Sequence, residues 1–137
     1  MGWASWLLVA AAGGLQAFSL AWPWARGQGD GWLTLVGGYG RPLWWLQIFS
    51  LAVLVHALLA ARSPLAAAAK AMVFATSWLA ATFWWLFISM HTYGGLAAPL
   101  AVAAVLALAA FLGSYYAFAS WCFKRFTQVN KVQMAIV

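Results

Sequence analysis

Apolar residues fill four long stretches of this chain, and polar residues are concentrated in the segments between them. A helix that crosses a membrane needs about 20 predominantly apolar residues. We predict spanning helices over residues 3–22, 43–61, 71–90 and 97–123. The pattern therefore predicts an all-α membrane protein: a bundle of four transmembrane helices in residues 1–126, followed by a short tail in residues 127–137.

The first connection, residues 23–41, is rich in glycine and tryptophan. Glycine at this density is typical of an irregular loop. Its short apolar run, residues 32–36, is too short to cross a membrane and suits a re-entrant or interfacial piece. We therefore predict a Gly/Trp-rich first loop on the outer side.

Composition supports the membrane class. The chain of 137 residues is 67% hydrophobic and only 6% charged, whereas soluble domains carry roughly 25% charged residues. Too few charges remain to cover a globular surface in water. The net charge of +6 does not favour nucleic-acid binding, because the basic residues lie at helix ends rather than on one face.

The basic residues also predict an orientation, because Lys and Arg near helix ends favour the cytoplasmic side. No Lys or Arg precedes Arg26, which favours a retained first helix over a cleaved signal peptide. The first loop holds Arg26 and Arg41. Five basic residues occupy the second loop and the tail: Arg62, Lys70, Lys124, Arg125 and Lys131. Both termini are therefore predicted to be cytoplasmic, with His91 on the outer side.

His91 is the strongest candidate for a functional residue in this chain. It follows Trp84 by seven residues and Phe87 by four, so the three rings share one face if the helix continues that far. Thr92 and Tyr93 add hydroxyl groups. Two glycines follow and allow a turn; Gly95 is a candidate helix stop, and Pro99 suits the first turn of the next helix. The structural alternative is a polar cap at the water boundary.

Other polar residues carry weaker signals. His56 lies within the second predicted span, where an ionisable residue is a functional candidate, but a neutral ring bonded to a carbonyl or a serine is favoured. Cys122 could be a nucleophile or a lipidation site, yet no His or acid accompanies it in register, so a small apolar filler is favoured. Asp30 is the sole acid. We predict no metal site, no cofactor and no catalytic residue within this chain.

Small residues form one face of the fourth predicted span, with spacings of four, three, four and three. We predict that this face packs within the bundle, because small residues let membrane helices approach closely. The residues are Ala103, Ala107, Ala110, Ser114 and Ala117.

Three stretches resemble the N-terminal region of bacterial apolipoprotein N-acyltransferases. Residues 12–24 (AGGLQAFSLAWPW) resemble the first helix of that family and its aromatic-proline turn. Residues 44–52 (WWLQIFSLA) and 61–64 (ARSP) resemble the second helix and a short basic loop. The most specific stretch is residues 82–99 (TFWWLFISMHTYGGLAAP), which resembles the turn after the third helix.

The resemblance implies a membrane part that works with a periplasmic nitrilase-like domain. In that family a Glu-Lys-Cys triad takes an acyl chain from a phospholipid and passes it to the amino-terminal diacylglyceryl-cysteine of an apolipoprotein. These 137 residues resemble only the first four of eight helices, contain no Glu, and place Cys122 outside the pattern of the nucleophile. We therefore expect no activity from this chain alone, with a nitrilase-like domain supplied elsewhere, and a location in the bacterial inner membrane. The implied partners are phospholipid and apolipoprotein. The implied lipid-access residues are Trp84, Trp85, His91, Thr92, Tyr93, Gly94 and Gly95.

Two alternatives remain open at the level of sequence. One is a small accessory or scaffold subunit of another inner-membrane complex. The other is a small transporter that uses His56 as its polar site. A transporter needs a hydrated path, yet the interiors of the first, third and fourth predicted spans contain no ionisable residue.

Overall fold

A computed structural model describes the backbone of residues 3–20 and 42–136, and the side chains as far as residue 127. These residues form five α-helices and one π-helical turn, with no β-strand in the described ranges, which confirms the all-α prediction. The predicted loop over residues 23–41 lies outside the described residues. The helices are α1 (Ala4–Leu20), α2 (Trp44–Leu59), α3 (Pro64–Thr82), α4 (Trp84–Ile88) and α5 (Ala98–Ile136), and the π-helical turn is Ser89–Tyr93.

Helix α3 is the centre of the bundle, because it packs most extensively against α5 and α1 while α1 also packs against α2. Val9, Ala12, Ala57 and Phe74 form the buried cluster where α1, α2 and α3 meet. The hydroxyl of Ser50 in α2 donates a 2.6 Å hydrogen bond to the Ala12 carbonyl of α1. Small residues and this buried bond hold the three helices close together.

The third predicted span begins seven residues too late, because α3 starts at Pro64 rather than at residue 71. Ser63 caps the helix by accepting a 3.1 Å hydrogen bond from the Ala66 N–H, and Pro64 occupies the first helical position. Serine followed by proline is a favourable helix start, since proline lacks an N–H that would be unpaired there. Lys70, predicted to lie in the second loop, is therefore a helical residue, and its side chain is buried.

The same predicted span also ends differently, because the α-helix breaks at Phe83. The Thr82 hydroxyl donates a 2.9 Å hydrogen bond back to the Trp78 carbonyl, a contact that often bends helices. Phe83 then leaves helical geometry, with φ −87° and ψ 14°. The chain restarts as the short helix α4 and continues into the π-helical turn, so residues 71–90 form no single continuous helix.

Helix α5 packs through a different face from the one predicted. Ala101, Val105, Ala109 and Gly113 are buried and lie four residues apart. Of the predicted face, Ala103, Ala107 and Ser114 are exposed, while Ala110 and Ala117 are half-buried. The prediction was wrong because small residues occur on both faces of α5. The buried face of α5 is the one that fits closely against α3. At Gly113 the two helices are so close that an added Cβ would lie 2.9 Å from the Thr76 hydroxyl oxygen.

The end of α5 includes residues of the predicted tail. The helix continues without a break to Ile136, so Thr127, where the tail was predicted to begin, is a helical residue. The cytoplasmic tail over residues 127–137 stays a prediction. Two described segments are long and apolar enough to cross a membrane, namely Pro64–Thr82 and Ala98–Thr127. The helices Ala4–Leu20 and Trp44–Leu59 are apolar but shorter.

Candidate functional site

Three rings stack in a column that runs along α4 and into the π-helical turn. The centroids of Trp84 and Phe87 are 4.8 Å apart, with 23° between the ring planes. The centroids of Phe87 and His91 are 5.5 Å apart, with 25° between the planes. The predicted shared face of these residues is thus confirmed, and the column runs from an apolar indole to an exposed imidazole.

The π-helical turn and two glycines end this segment. The Gly94 N–H donates to the Ser89 carbonyl, five residues back, at 3.1 Å, and the Leu96 N–H donates to the Met90 carbonyl at 3.1 Å. Gly95 has φ 64°, a conformation that glycine adopts at little cost. The predicted stop at Gly95 is therefore confirmed, since the π-helical turn ends at Tyr93 and a left-handed glycine is a common helix terminator.

The imidazole of His91 is oriented by the turn that follows it. Its Nδ1 lies 2.8 Å from the Leu96 carbonyl oxygen. A carbonyl can only accept, so Nδ1 carries the hydrogen in this bond. A neutral ring then has an acceptor at Nε2, and a protonated ring has a second donor there. Because the His91 side chain is exposed, Nε2 is the ring position available to a ligand.

An apolar groove adjoins the Trp84 end of the ring column. It has a volume of about 90 Å³ and lies between the end of α3, α4 and the first turns of α5. Trp84 and Phe87 belong both to its wall and to the column. The lining residues are Ala80, Trp84, Phe87, Val102, Val105 and Leu106. The arrangement is therefore amphipathic, with an apolar groove at one end and a hydrogen-bonding ring at the other.

The structure brings together some of the predicted lipid-access residues and leaves others outside the column. Trp84 and His91 lie in the column, and Gly94 and Gly95 form the turn that holds it. Trp85, Thr92 and Tyr93 are exposed beside it. The groove residues on α3 and α5 were not predicted. Their apolar character resembles that of every neighbouring position, so the sequence alone offers no signal that selects them.

The other candidates gain no partners that suit catalysis. His56 is exposed on α2 rather than facing the bundle interior, and no hydrogen bond of its ring is found among the described residues. Cys122 is a free, half-buried thiol. Within the described ranges, no three His, Cys, Asp or Glu residues cluster closely enough to hold a metal ion. Asp30 lies outside these ranges.

Comparison with known proteins decides the family. The model of the apolipoprotein N-acyltransferase N-terminal domain matches residues 30–137, a range that includes α2 to α5 and the whole ring column. This chain belongs to the apolipoprotein N-acyltransferase N-terminal domain family. The resemblance read from residues 82–99 is thereby confirmed.

Individual relatives agree with this assignment. The apolipoprotein N-acyltransferase of Verminephrobacter eiseniae is 49% identical over 136 residues, which is 96% of this chain and 22% of the relative. The apolipoprotein N-acyltransferase of Ralstonia nicotianae is 40% identical over 92 residues, or 67% of this chain and 18% of the relative. The apolipoprotein N-acyltransferase of Bordetella bronchiseptica is 49% identical over 77 residues, which is 54% of this chain and 14% of the relative. The chain thus spans about a fifth of the length of its more extensively matched relatives and corresponds to their N-terminal part.

Proposed function

We propose that this chain is the N-terminal membrane part of a lipoprotein N-acyltransferase. The enzyme would transfer an acyl chain from a phospholipid to the amino-terminal diacylglyceryl-cysteine of apolipoproteins. The chain would cross the bacterial inner membrane four times, with both termini in the cytoplasm. The Glu-Lys-Cys chemistry would come from a nitrilase-like domain outside these 137 residues, since they contain no Glu.

The exposure of apolar residues supports a membrane location. Only 28% of the residues in the apolar window of α3, and 22% in that of α5, are buried inside the chain. The core helix of a soluble protein would be mostly buried, because exposed apolar surface is costly in water. A lipid environment removes this cost for the many large side chains that remain exposed on the described helices.

The length of α3 also supports it. Its 19 residues, Pro64–Thr82, extend about 28 Å at a helical rise of about 1.5 Å per residue. That length is close to the thickness of the hydrocarbon core of a bilayer, which is about 30 Å. Lys70, near the start of α3, and His91, beyond its end, would then lie towards opposite faces of the membrane.

The single observation that carries the functional proposal is the continuity of the groove with the ring column. Phospholipids have apolar chains joined to a polar head, and the site has the same order of properties. We propose that the groove between α4 and α5 receives the end of an acyl chain. The His91 ring would meet a polar group of the lipid through Nε2, with Trp85, Thr92 and Tyr93 as further contacts on the exposed side.

In this proposal His91 positions lipid and does not act on the ester bond. Its Nδ1 is occupied by the Leu96 carbonyl, so Nε2 has a fixed direction when lipid arrives. A group held in advance loses less conformational freedom on binding. The column contributes in the same way, because Phe87 holds the imidazole plane nearly parallel to its own.

The test uses a complete acyltransferase that carries these residues as its membrane half. We expect His91→Ala to reduce lipoprotein triacylation about fivefold or more, since one hydrogen bond contributes about 1 kcal/mol, while membrane expression is retained. His91→Asn keeps a donor for the Leu96 carbonyl and removes Nε2, so it should also lose activity. Full activity of His91→Asn would contradict a role for Nε2.

A matched pair of aromatic variants tests the groove. Trp84 and Phe118 are both exposed, at 57% and 68%, and each stacks on another ring. Only Trp84 lines the groove. Trp84→Ala should raise the KM for phospholipid, whereas Phe118→Ala should leave it unchanged. Equal effects of the two variants would mean that the groove has no special part in lipid access.

A further inference from the structure

One face of α5 is exposed along most of its membrane-spanning segment. Its residues recur at spacings of four and three, so they form one stripe along the helix. The stripe lies opposite Ala109 and Gly113, which are buried, and none of its residues lines the groove. We call it the free face of α5, and all six of its residues are exposed: Leu100, Ala104, Ala107, Phe111, Ser114 and Phe118.

The free face is large enough for a specific contact with another helix. Phe111 and Phe118 are exposed at 63% and 68%, and Tyr115, beside them, is exposed at 63%. An aromatic side chain carries about 150–250 Å² of surface, so the three rings expose about 300–500 Å² in one copy. Two facing copies would therefore bury about 600–1,000 Å² of aromatic surface. The leucine and the alanines add to this area, which brings it to the roughly 1,000 Å² of a specific interface.

Two neighbouring hydroxyl groups at this face differ in what they can bind. Ser114 Oγ donates its hydrogen to the Phe111 carbonyl at 2.6 Å, so it retains only acceptor lone pairs. The Tyr115 ring contacts that of Phe111, with centroids 5.9 Å apart, and its hydroxyl makes no hydrogen bond with any described residue. Each copy therefore offers a free donor and a free acceptor side by side.

The Tyr115 hydroxyl lies deep in the membrane in the proposed topology. Lys124 marks the cytoplasmic boundary on α5, because its Nζ donates to the Leu59 carbonyl in the last turn of α2. Tyr115 precedes Lys124 by nine residues, which is about 14 Å along the helix, and half of the hydrocarbon core is about 15 Å. Lipid chains contain no acceptor at this depth, so an unpaired hydroxyl is costly there and a protein partner removes the cost.

The two hydroxyl groups are also arranged to complement a second copy. Ser114 and Tyr115 lie on opposite sides of the centre of the free face, because successive helical residues are rotated by about 100°. In a parallel pair of helices related by a two-fold axis, residues on opposite flanks meet across the interface. The free donor of each copy would then face the free acceptor of the other.

We propose that the free face of α5 binds a second copy of this chain and forms a parallel, symmetric dimer in the membrane. Each Tyr115 hydroxyl donates to the hydroxyl oxygen of the partner's Ser114. The phenylalanine rings pack across the two-fold axis, and Ala104 and Ala107 let the helices approach closely. The dimer rests on the membrane location in the proposed function, but not on acyl transfer.

The experiment is sedimentation equilibrium of the purified chain in density-matched detergent micelles, which measures the Kd of the dimer. We expect a reversible monomer–dimer equilibrium for the parent chain. Tyr115→Phe keeps the ring and removes the hydroxyl. It should raise the Kd about tenfold, because the symmetric dimer loses the same interhelical hydrogen bond twice. Tyr116→Phe is the matched control and should leave the Kd unchanged, since the Tyr116 ring contacts Trp78 of α3, with centroids 5.9 Å apart.

A second pair of variants tests the face by shape. Ala107→Phe places a ring in the middle of the free face and should prevent dimer formation. Ala119→Phe adds the same ring outside the face and should leave the Kd unchanged. Because both alanines are exposed, circular dichroism should show the helix content of the parent chain in both variants.

Three results would overturn the proposal. One is a parent chain that stays monomeric at every concentration, which would leave the free face to lipid or to a different helix. Another is an equal Kd for the parent chain and Tyr115→Phe. The third is an equal effect of Ala107→Phe and Ala119→Phe. Flotation with phosphatidylcholine vesicles tests the membrane location separately: a chain that fails to float contradicts the proposed function itself, whereas a chain that floats but stays monomeric contradicts only the dimer.

Discussion

Two adjacent glycines in α1 allow a sharp test of how closely α1 approaches α3. A Cβ on Gly13 would contact the Phe74 carbonyl oxygen and would lie 3.0 Å from the Cβ of Ser77. A Cβ on Gly14 would meet no atom within 4 Å. Gly13→Ala and Gly14→Ala therefore make the same chemical change in very different surroundings.

The expected difference follows from steric contact. Carbon atoms attract best at about 3.5–4.0 Å, and a helical carbonyl such as that of Phe74 has no rotamer by which to move away. Insertion of a methyl group into such a contact typically costs about 1–3 kcal/mol. Replacing glycine by alanine within a helix stabilises it by about 1 kcal/mol at either position, so this gain cancels between the variants. Gly13→Ala should therefore be less stable than Gly14→Ala by about 1–3 kcal/mol.

Each purified variant is unfolded by denaturant or heat in the same detergent, and circular dichroism monitors the loss of helix. Gly113→Ala adds an intermediate case, because its Cβ would meet the Thr76 hydroxyl and lie 3.3 Å from the Met72 sulfur. These are side-chain atoms that can shift. Equal stability of Gly13→Ala and Gly14→Ala would refute the close packing of α1 on α3.

Three further outcomes are expected. Gly95→Ala should destabilise the corner by about 1–2 kcal/mol, because φ 64° is unfavourable for a residue with a Cβ; Gly95→Asn should cost less, and equal unfolding midpoints for the two variants would contradict this reasoning. Reporter fusions after Arg62 and after Val137 should both report the cytoplasm, because residues 62–70 and 124–131 hold five of the seven basic residues and basic residues favour that side; a periplasmic signal at either position would reverse the topology. The purified 137-residue chain should not transfer an acyl chain from phospholipid to a diacylated lipopeptide; turnover that is lost on Cys122→Ala would identify that thiol as a nucleophile.

The sequence by itself determined the features that depend on near neighbours in the chain. The ring column could be predicted, because residues three, four and seven apart share a helical face wherever the helix persists. The stop at Gly95 could also be predicted, because glycine alone adopts positive φ at little cost. The residue pattern around His91 was specific enough to indicate the family before any fold was known.

Only the tertiary structure decided which surfaces meet. From residue 98 to residue 112, helix α5 is apolar on every side, so this part of its sequence contains no contrast between a core face and a lipid face. The stripe that includes Ala101 and Ala109 is buried because it is the face that fits α3. The groove beside the ring column is formed by the same packing, because residues of α3, α4 and α5 line it. Lys70 resembled a loop residue because an isolated charge is costly inside an apolar bundle. Its burial depends on a carbonyl of α2 that lies thirteen residues away and becomes its partner only when the two helices pack.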